Sequence, residues 1–171
     1  MASGGDIFEF DALDLRILED LISDAMTTFK ELAIRNKIDQ RTIASRFEKM
    51  VKCGVIRKAT LDVDWSRLGL KAHAIMGTRT SMGDADRKRL FDRIQREPRI
   101  VECYATIGAY EYVLEVMDRD IVTIRSEIGA PLEPLTAGIV TSIVTGLVKG
   151  TDYSSLMNYL RKTTLKQAKR M

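Results

Sequence analysis

The residues best suited to do chemistry are concentrated between positions 28 and 60. Nine basic side chains stand there (Lys30, Arg35, Lys37, Arg41, Arg46, Lys49, Lys52, Arg57 and Lys58) against three acidic ones, a net charge of +6. Arginine and lysine neutralise phosphates or donate to guanine edges. The interleaved Gln40, Thr42 and Ser45 are short enough for base edges or backbone oxygens. A second basic group, Arg161, Lys162, Lys166, Lys169 and Arg170, adds +5 over the last eleven residues. The remainder is acidic: residues 1–27 hold one basic and seven acidic side chains, and 61–160 hold twelve and fourteen. The overall charge of +3 on 171 residues conceals this distribution. A compact basic island is the footprint of a surface that meets phosphate.

Other chemistries find little support. Cys53 and Cys103 are fifty positions apart and share the chain with a single histidine, His73. That spacing offers neither a disulfide framework nor a zinc site, and no metal or other cofactor is expected. Asp84/Asp86 and Asp118/Asp120 read as helix starts rather than as a catalytic carboxylate pair. With 45% hydrophobic and 30% charged residues the chain is a folded one, large enough for a real core. Its longest uncharged stretch, Pro134 to Val148, is too short and too rich in Gly and Thr to span a bilayer. The first ten residues have neither a basic flank nor an apolar run, so no secretory signal is read. The expectation is a cytoplasmic protein with no membrane partner.

The basic island needs elements to present it. Leu13, Ile17, Leu18, Leu21 and Ile22 recur at helical spacing and predict a helix from about Asp11 to Ser23. Thr28 and Glu31 fit a capping box that opens a short second helix ending near Asn36. Asp39 can cap a third, in which Ile43, Phe47, Met50 and Val51 form one apolar face and Gly54 a C-terminal stop. Projected at about 100° per residue, Arg41, Thr42, Ser45, Lys49 and Lys52 lie opposite that face, with Arg46 on its flank. This is the helix-turn-helix arrangement. Val55 to Leu61 reads as a strand leaving the bundle.

The remaining chain reads as βαββαβ. Strands are expected at Leu70 to Thr80, from Val101 through Ile107, at Tyr110 to Met117 and at Ile139 to Val148. A helix starts at Gly83-Asp84, with Leu90, Phe91 and Ile94 inward and Pro98 beyond its end. Asp120 caps another, with Ile121, Ile124 and Ile128 on its face, interrupted by Gly129 and Pro131. That order gives a ferredoxin-like sheet with two helices on one face. The other face calls for a cover, and a second copy of the chain supplies one.

Three stretches carry a resemblance to a known family: Phe10-Asp11-Ala12-Leu13-Asp14-Leu15-Arg16-Ile17-Leu18, then Glu31-Leu32-Ala33, then Ile43 to Ile56. With Gly108-Ala109-Tyr110-Glu111-Tyr112, similar to a Gly-Asp-Tyr-Asp-Tyr turn, they resemble the Lrp/AsnC, or feast/famine, transcriptional regulators. The likeness runs from about Phe10 to Val148. It implies an α+β protein. An N-terminal extension (1–9) precedes a winged helix-turn-helix domain (10–56) and a strand linker (57–69). A ferredoxin-like βαββαβ effector-binding and oligomerisation domain (70–150) and a basic tail (151–171) follow. It implies sequence-specific binding of double-stranded DNA by Gln40, Arg41, Thr42, Ser45, Arg46 and Lys49. It also implies an amino-acid effector near Gly108, Tyr110, Glu111, Ser142, Ile143 and Val144, with assembly to a homodimer and on to an octamer.

The sequence departs from the family pattern in three places. Lys37 stands where the helix-turn-helix turn usually has Gly. Ala109 replaces an acidic residue, which removes an acceptor for an amino acid's ammonium, and Glu111 stands for Asp. The tail from Asp152 is longer and more basic, and reads either as a helical patch around Leu156, Tyr159 and Leu160 or as an unstructured arm. Other readings of the architecture are an effector-independent architectural DNA-binding protein and a tetrapyrrole enzyme of the sirohaem decarboxylase type. The latter calls for paired histidines near Gly108, where this chain has none. An RNA-binding sheet would need Tyr104, Tyr110 and Tyr112 as an exposed stacking platform.

Overall fold

The computed structural model describes residues 8–80 and 83–168, with side chains of the last helix described through 162. Two compact units emerge. One is formed by the chain up to Leu61 together with the segment from Lys149 onward, and the other by Asp62–Val148.

In the first unit, α1 (Ala12–Ser23), α2 (Phe29–Asn36) and α3 (Gln40–Lys52) follow the sequence reading closely. Local chemistry fixes their starts. Asp11 and Asp14 form a capping box on α1, Thr28 and Glu31 a second on α2, and Asp39 accepts from the Arg41 amide at 2.7 Å. Ile17, Leu32, Ala33, Ile43 and Met50 make the core, flanked by Leu13, Leu18, Leu21 and Phe29. Phe29 and Phe47 stack tilted, 5.2 Å between centroids. Two expected core residues, Ile22 and Val51, are exposed at the rim, while Leu15 and Asp14 are buried outside that cluster. Lys37 takes up the left-handed conformation, φ 55° and ψ 44°, that glycine would hold at no steric cost.

The expected strand at Val55 to Leu61, and with it the strand linker, is absent among the described residues. Ile56 is tied back to the end of α3 by the hydrogen bond its amide donates to the Met50 carbonyl, 3.1 Å. The residues beyond have no neighbouring strand, and β-branched composition cannot form a ladder without a partner. The segment continues irregularly to a 3₁₀ turn at Trp65–Leu68. The tail, left open between arm and helix, is a helix, α7 (Tyr153–Ala168), and it belongs to the first unit.

The second unit contains β1 (Ala72–Thr80), α4 (Asp84–Arg96), β2 (Ile100–Ala105) and β3 (Tyr112–Asp118), in that order. A broken helical stretch follows, and then β4 (Thr136–Ile143). The sheet is antiparallel in the order β2-β3-β1-β4, the ferredoxin-like arrangement. Ala72, Ala74, Met76, Leu114 and Val116 face Leu90, Ile94, Ile124, Ile128 and Leu132 across the core. Phe91, expected inward, is half exposed, because it lies about 100° around α4 from Leu90.

The broken stretch comprises α5 (Ile121–Thr123), a π-helical turn (Ile124–Gly129), α6 (Ala130–Leu132) and a 3₁₀ turn (Glu133–Leu135). Ile121 lies outside its core. β4 starts and ends earlier than the expected Ile139 to Val148. It can pair only along β1, and the Val144 amide, donating to the His73 carbonyl at 2.9 Å, is the last rung. Arg99 fastens the strand ends to the π-helical turn. Its guanidinium donates to Glu97 at 2.6 Å, Asp118 at 3.0 Å and Glu127 at 2.7 Å. These carboxylates hold Arg99 above the ordinary arginine value, and the guanidinium in turn holds Glu97 below the usual carboxylate range.

Candidate DNA-binding and effector sites

Helix α3 presents its polar side as the periodicity requires. Gln40, Arg41, Thr42, Ser45 and Lys49 are exposed on one flank, while Ile43 and Met50 are fully buried on the other. The N-terminus of α3 adds backbone donors beside Gln40 and Arg41, a favourable setting for phosphate oxygens. The Lys49 ammonium stands over the Phe8 ring, 5.0 Å from its centroid, a cation–π contact made by an otherwise exposed side chain.

Arg46 differs from the rest. Its guanidinium lies 2.7 Å from Asp11 and 3.2 Å from both oxygens of Asp14, a carboxylate with 1% of its side chain exposed. Asp11 sits below its ordinary pKa, through the Asp14 and Leu13 amides it accepts and through Arg46. Asp11 and Asp14 push Arg46 upward. Arg46 is thus a strut that fixes the start of α1 against α3. Sequence periodicity placed it on the flank of the basic face but could not show the acid it meets 32 residues away.

The turn between β2 and β3 is the second candidate site. Gly108 has φ +154°, a conformation side-chain-bearing residues rarely adopt. Arg79 donates through Nη2 to the Gly108 carbonyl at 2.8 Å and through Nε to the Ala109 carbonyl. Tyr110 folds its ring over Gly77, where an added Cβ would come within 2.6 Å of the ring. The Glu111 carboxylate accepts from the Thr80 amide at 3.0 Å and from the Thr80 hydroxyl, and these two bonds hold it below its ordinary pKa. Nothing in the local spacing marks Arg79 or Thr80 for these roles, since they approach from β1, about thirty residues away.

Ser142, Ile143 and Val144 do not join that turn within one chain. Ser142 pairs with Ile75 and Ile143 with Ala74, whereas the Glu111 amide reaches the Thr78 carbonyl on the opposite edge of β1. Three residues along a strand and two strand spacings across it put the groups about 14 Å apart. Ser142 shares the open face of the sheet, while Ile143 faces the helices.

On that helical side Ile143, Thr141 and Ile139 line a groove of about 340 Å³ with Ile121, Arg125 and Glu133. Neither Arg125 nor Glu133 has a side-chain ion pair among the described residues. A π-helical turn often marks a functional site. The sequence reading put Ile121 on a helix interrupted by Gly129 and Pro131 and gave Arg125 and Glu133 no role, so the groove was not foreseen.

The open face of the sheet carries His73, Ile75, Gly77, Val113, Glu115, Met117, Val140 and Ser142 by register. His73 Nε2 lies 2.8 Å from Glu115 Oε1 across it. An aromatic stacking platform is not formed: Tyr104 is exposed, but Tyr110 covers Gly77 and Tyr112 packs on the core. No described helix is long and apolar enough to cross a membrane.

Comparison with known proteins agrees with this division. Residues 10–57 match a family model described as winged helix-turn-helix DNA-binding, and 73–153 match the Lrp/AsnC ligand binding domain. The HTH-type transcriptional regulator LrpC of Bacillus subtilis is 32% identical over 108 residues, 63% of this chain and 74% of that one. The proline dehydrogenase transcriptional activator of Rhodobacter capsulatus is 32% identical over 135 residues, 77% of this chain and 86% of the relative. Among solved structures, Escherichia coli AsnC superimposes with a TM-score of 0.75 at 26% identity, covering 86% of this chain and 99% of the other.

Proposed function

Because this chain belongs to the Lrp/AsnC family of transcriptional regulators, we propose that it binds double-stranded DNA through Gln40, Arg41, Thr42, Ser45 and Lys49 of α3. The observation that carries this assignment is the exposed basic and hydroxylic face of α3 set on a fully buried apolar one. Arg46 holds the helix in place rather than contacting DNA. The working form is a homodimer, closed open face to open face through the sheets and capable of further assembly to an octamer, in the cytoplasm where its DNA lies. Two-fold symmetry then spaces the half-sites by about 10 bp or a multiple of it. DNA selected from a random pool tests this directly. Arg41→Ala with Lys49→Ala should weaken binding of the selected sequence without unfolding the protein. Unchanged affinity overturns the α3 assignment.

An amino-acid-like effector fits the second unit. The turn at Gly108, Tyr110 and Glu111 and the strand at Ser142, Ile143 and Val144 approach one another only if two chains contribute, which supports a site completed by assembly. With Ala109 unable to accept an ammonium and Glu111 engaged by Thr80, Glu133 is the free carboxylate beside the groove. Arg125 is the cation for a carboxylate, and the three isoleucines suit an apolar side chain. Isothermal calorimetry against the common amino acids, repeated with Glu133→Gln, should show one or more binders lost in the variant. A flat response to all of them favours an effector-independent regulator.

A further inference from the structure

Helix α4 turns Leu90 and Ile94 into the core of the second unit, which fixes the rotation of the helix about its axis. Arg89, Arg93 and Arg96 then fall at i, i+4 and i+7, within about 60° of one another on its exposed side. They line an open cleft of about 460 Å³ together with Asp92, Glu97 and Leu135, the last from the 3₁₀ turn before β4. That is room enough for a small molecule.

The cations of this cleft lack counter-charges. Other arginines are engaged: Arg46 meets Asp11 and Asp14, Arg79 the Gly108 and Ala109 carbonyls, and Arg161 of α7 meets Glu19 where that helix packs on α1. In the cleft, Glu97 is already taken by Arg99, whose Nε and Nη2 donate to its two oxygens at 2.6 and 3.0 Å. Arg89 reaches only Asp86, at 3.5 Å, with 73% of its side chain exposed. Arg93, Arg96 and Asp92 have no side-chain hydrogen bond or ion pair among the described residues. The C-terminal end of a helix favours cations, which accounts for Arg93 and Arg96 singly but not for their convergence with Arg89 on one cleft. Like charges three and four residues apart repel, and an anion seated among them relieves that repulsion.

We propose that this cleft binds a free, multiply charged phosphate compound, of the kind represented by pyrophosphate or the phosphate end of a nucleotide. Guanidinium forks match phosphate oxygens two at a time. The stripe runs about 10 Å along α4, so a chain of two or three phosphates meets all three arginines where a single phosphate meets fewer. Leu135 is the one apolar residue of the lining, and an amino acid would bring an ammonium that the arginines repel. A recess also suits a phosphate with a free end better than the convex backbone of a duplex. Neither α3 nor the isoleucine groove contributes a residue.

Isothermal calorimetry of the full chain with sodium pyrophosphate, at fixed ionic strength, tests the site. Saturable binding is expected, weakened about tenfold or more by Arg93→Gln with Arg96→Gln. Those two side chains hold nothing in the fold, so the thermal melt of the double variant should match that of the parent. Lys71→Gln with Lys88→Gln removes the same charge from exposed positions outside the cleft and should change affinity by less than about two-fold. Arg93→Lys with Arg96→Lys keeps the charge, loses the fork and should fall between these two variants. Absence of saturable binding overturns the proposal, and so does an equal loss in the Lys71/Lys88 variant, which would mean diffuse charge. Random-sequence duplex DNA, titrated at the same phosphate concentration, distinguishes the source of the phosphate. If the duplex and not pyrophosphate loses affinity in the Arg93/Arg96 variant, the cleft is a contact for nucleic-acid backbone and the free-ligand assignment is overturned.

Discussion

Replacing Arg46 with methionine separates the two roles that a basic residue on α3 can have. In the structure Arg46 bridges Asp11 at 2.7 Å and the buried Asp14 at 3.2 Å, with about a third of its own side chain exposed. Breaking a fully buried pair costs about 3–5 kcal/mol, because the remaining charge is stranded, whereas an exposed pair is worth about 0–1 kcal/mol. Arg46 lies between these limits. Asp14 keeps one bond, from the Asp11 amide at 3.1 Å. The expected loss is about 2 kcal/mol, within the typical stability of a domain. DNA binding should respond differently. Each phosphate neutralised contributes about 0.9 to the slope of log affinity against log salt, so a lost contact in both half-sites lowers it by about 1.8. Arg41→Ala should show that drop and Arg46→Met should not, when both are titrated by fluorescence anisotropy from low to moderate salt. Guanidinium unfolding followed by circular dichroism supplies the stability arm. A reduced slope for Arg46→Met with an unchanged unfolding midpoint would refute the strut and return Arg46 to the DNA face.

Three further outcomes follow from the same geometry. Lys37→Gly should stabilise the first unit by about 0.5–1 kcal/mol by relieving the left-handed backbone, whereas Lys37→Ala should be neutral in denaturant titration; equal gains would mean that charge, not backbone, is responsible. Gly77→Ala should cost about 1–3 kcal/mol by forcing its Cβ into the Tyr110 ring, and adding Tyr110→Ala should remove most of that increment; additive losses would contradict the contact. Arg99→Gln should lower the stability of the second unit at neutral pH. Glu97 is depressed in the folded state, so its contribution is full above the ordinary carboxylate pKa and fades as pH falls through the folded value. Unfolding curves of parent and variant should therefore converge as the pH falls below the ordinary glutamate value, and a constant gap would exclude this carboxylate.

Some of the site was legible in the residues alone because it is built from local rules. Capping boxes need only four consecutive residues, and the α3 face needs only its own periodicity, so Thr28, Asp39 and the Ile43/Met50 stripe stand where spacing put them. The pairing of β2 with β3 was also legible, since the short turn at Gly108 makes them an antiparallel hairpin. The segments around Gly108 and Ser142 were legible as turn and strand, but their separation across β1 was not.

The charge distribution and the helix periods thus determined by themselves that a basic helix would face outward in a helix-turn-helix and that a βαββαβ sheet would follow. Those properties depend on neighbours within a few residues. Tertiary structure alone decided that Arg46 turns to Asp14, that Val55 to Leu61 finds no partner strand, that Arg125 and Glu133 flank one groove, and that the basic tail returns to α1. Each depends on which distant group is within reach, and a burial or an ion pair across thirty to more than one hundred residues leaves no trace in local spacing.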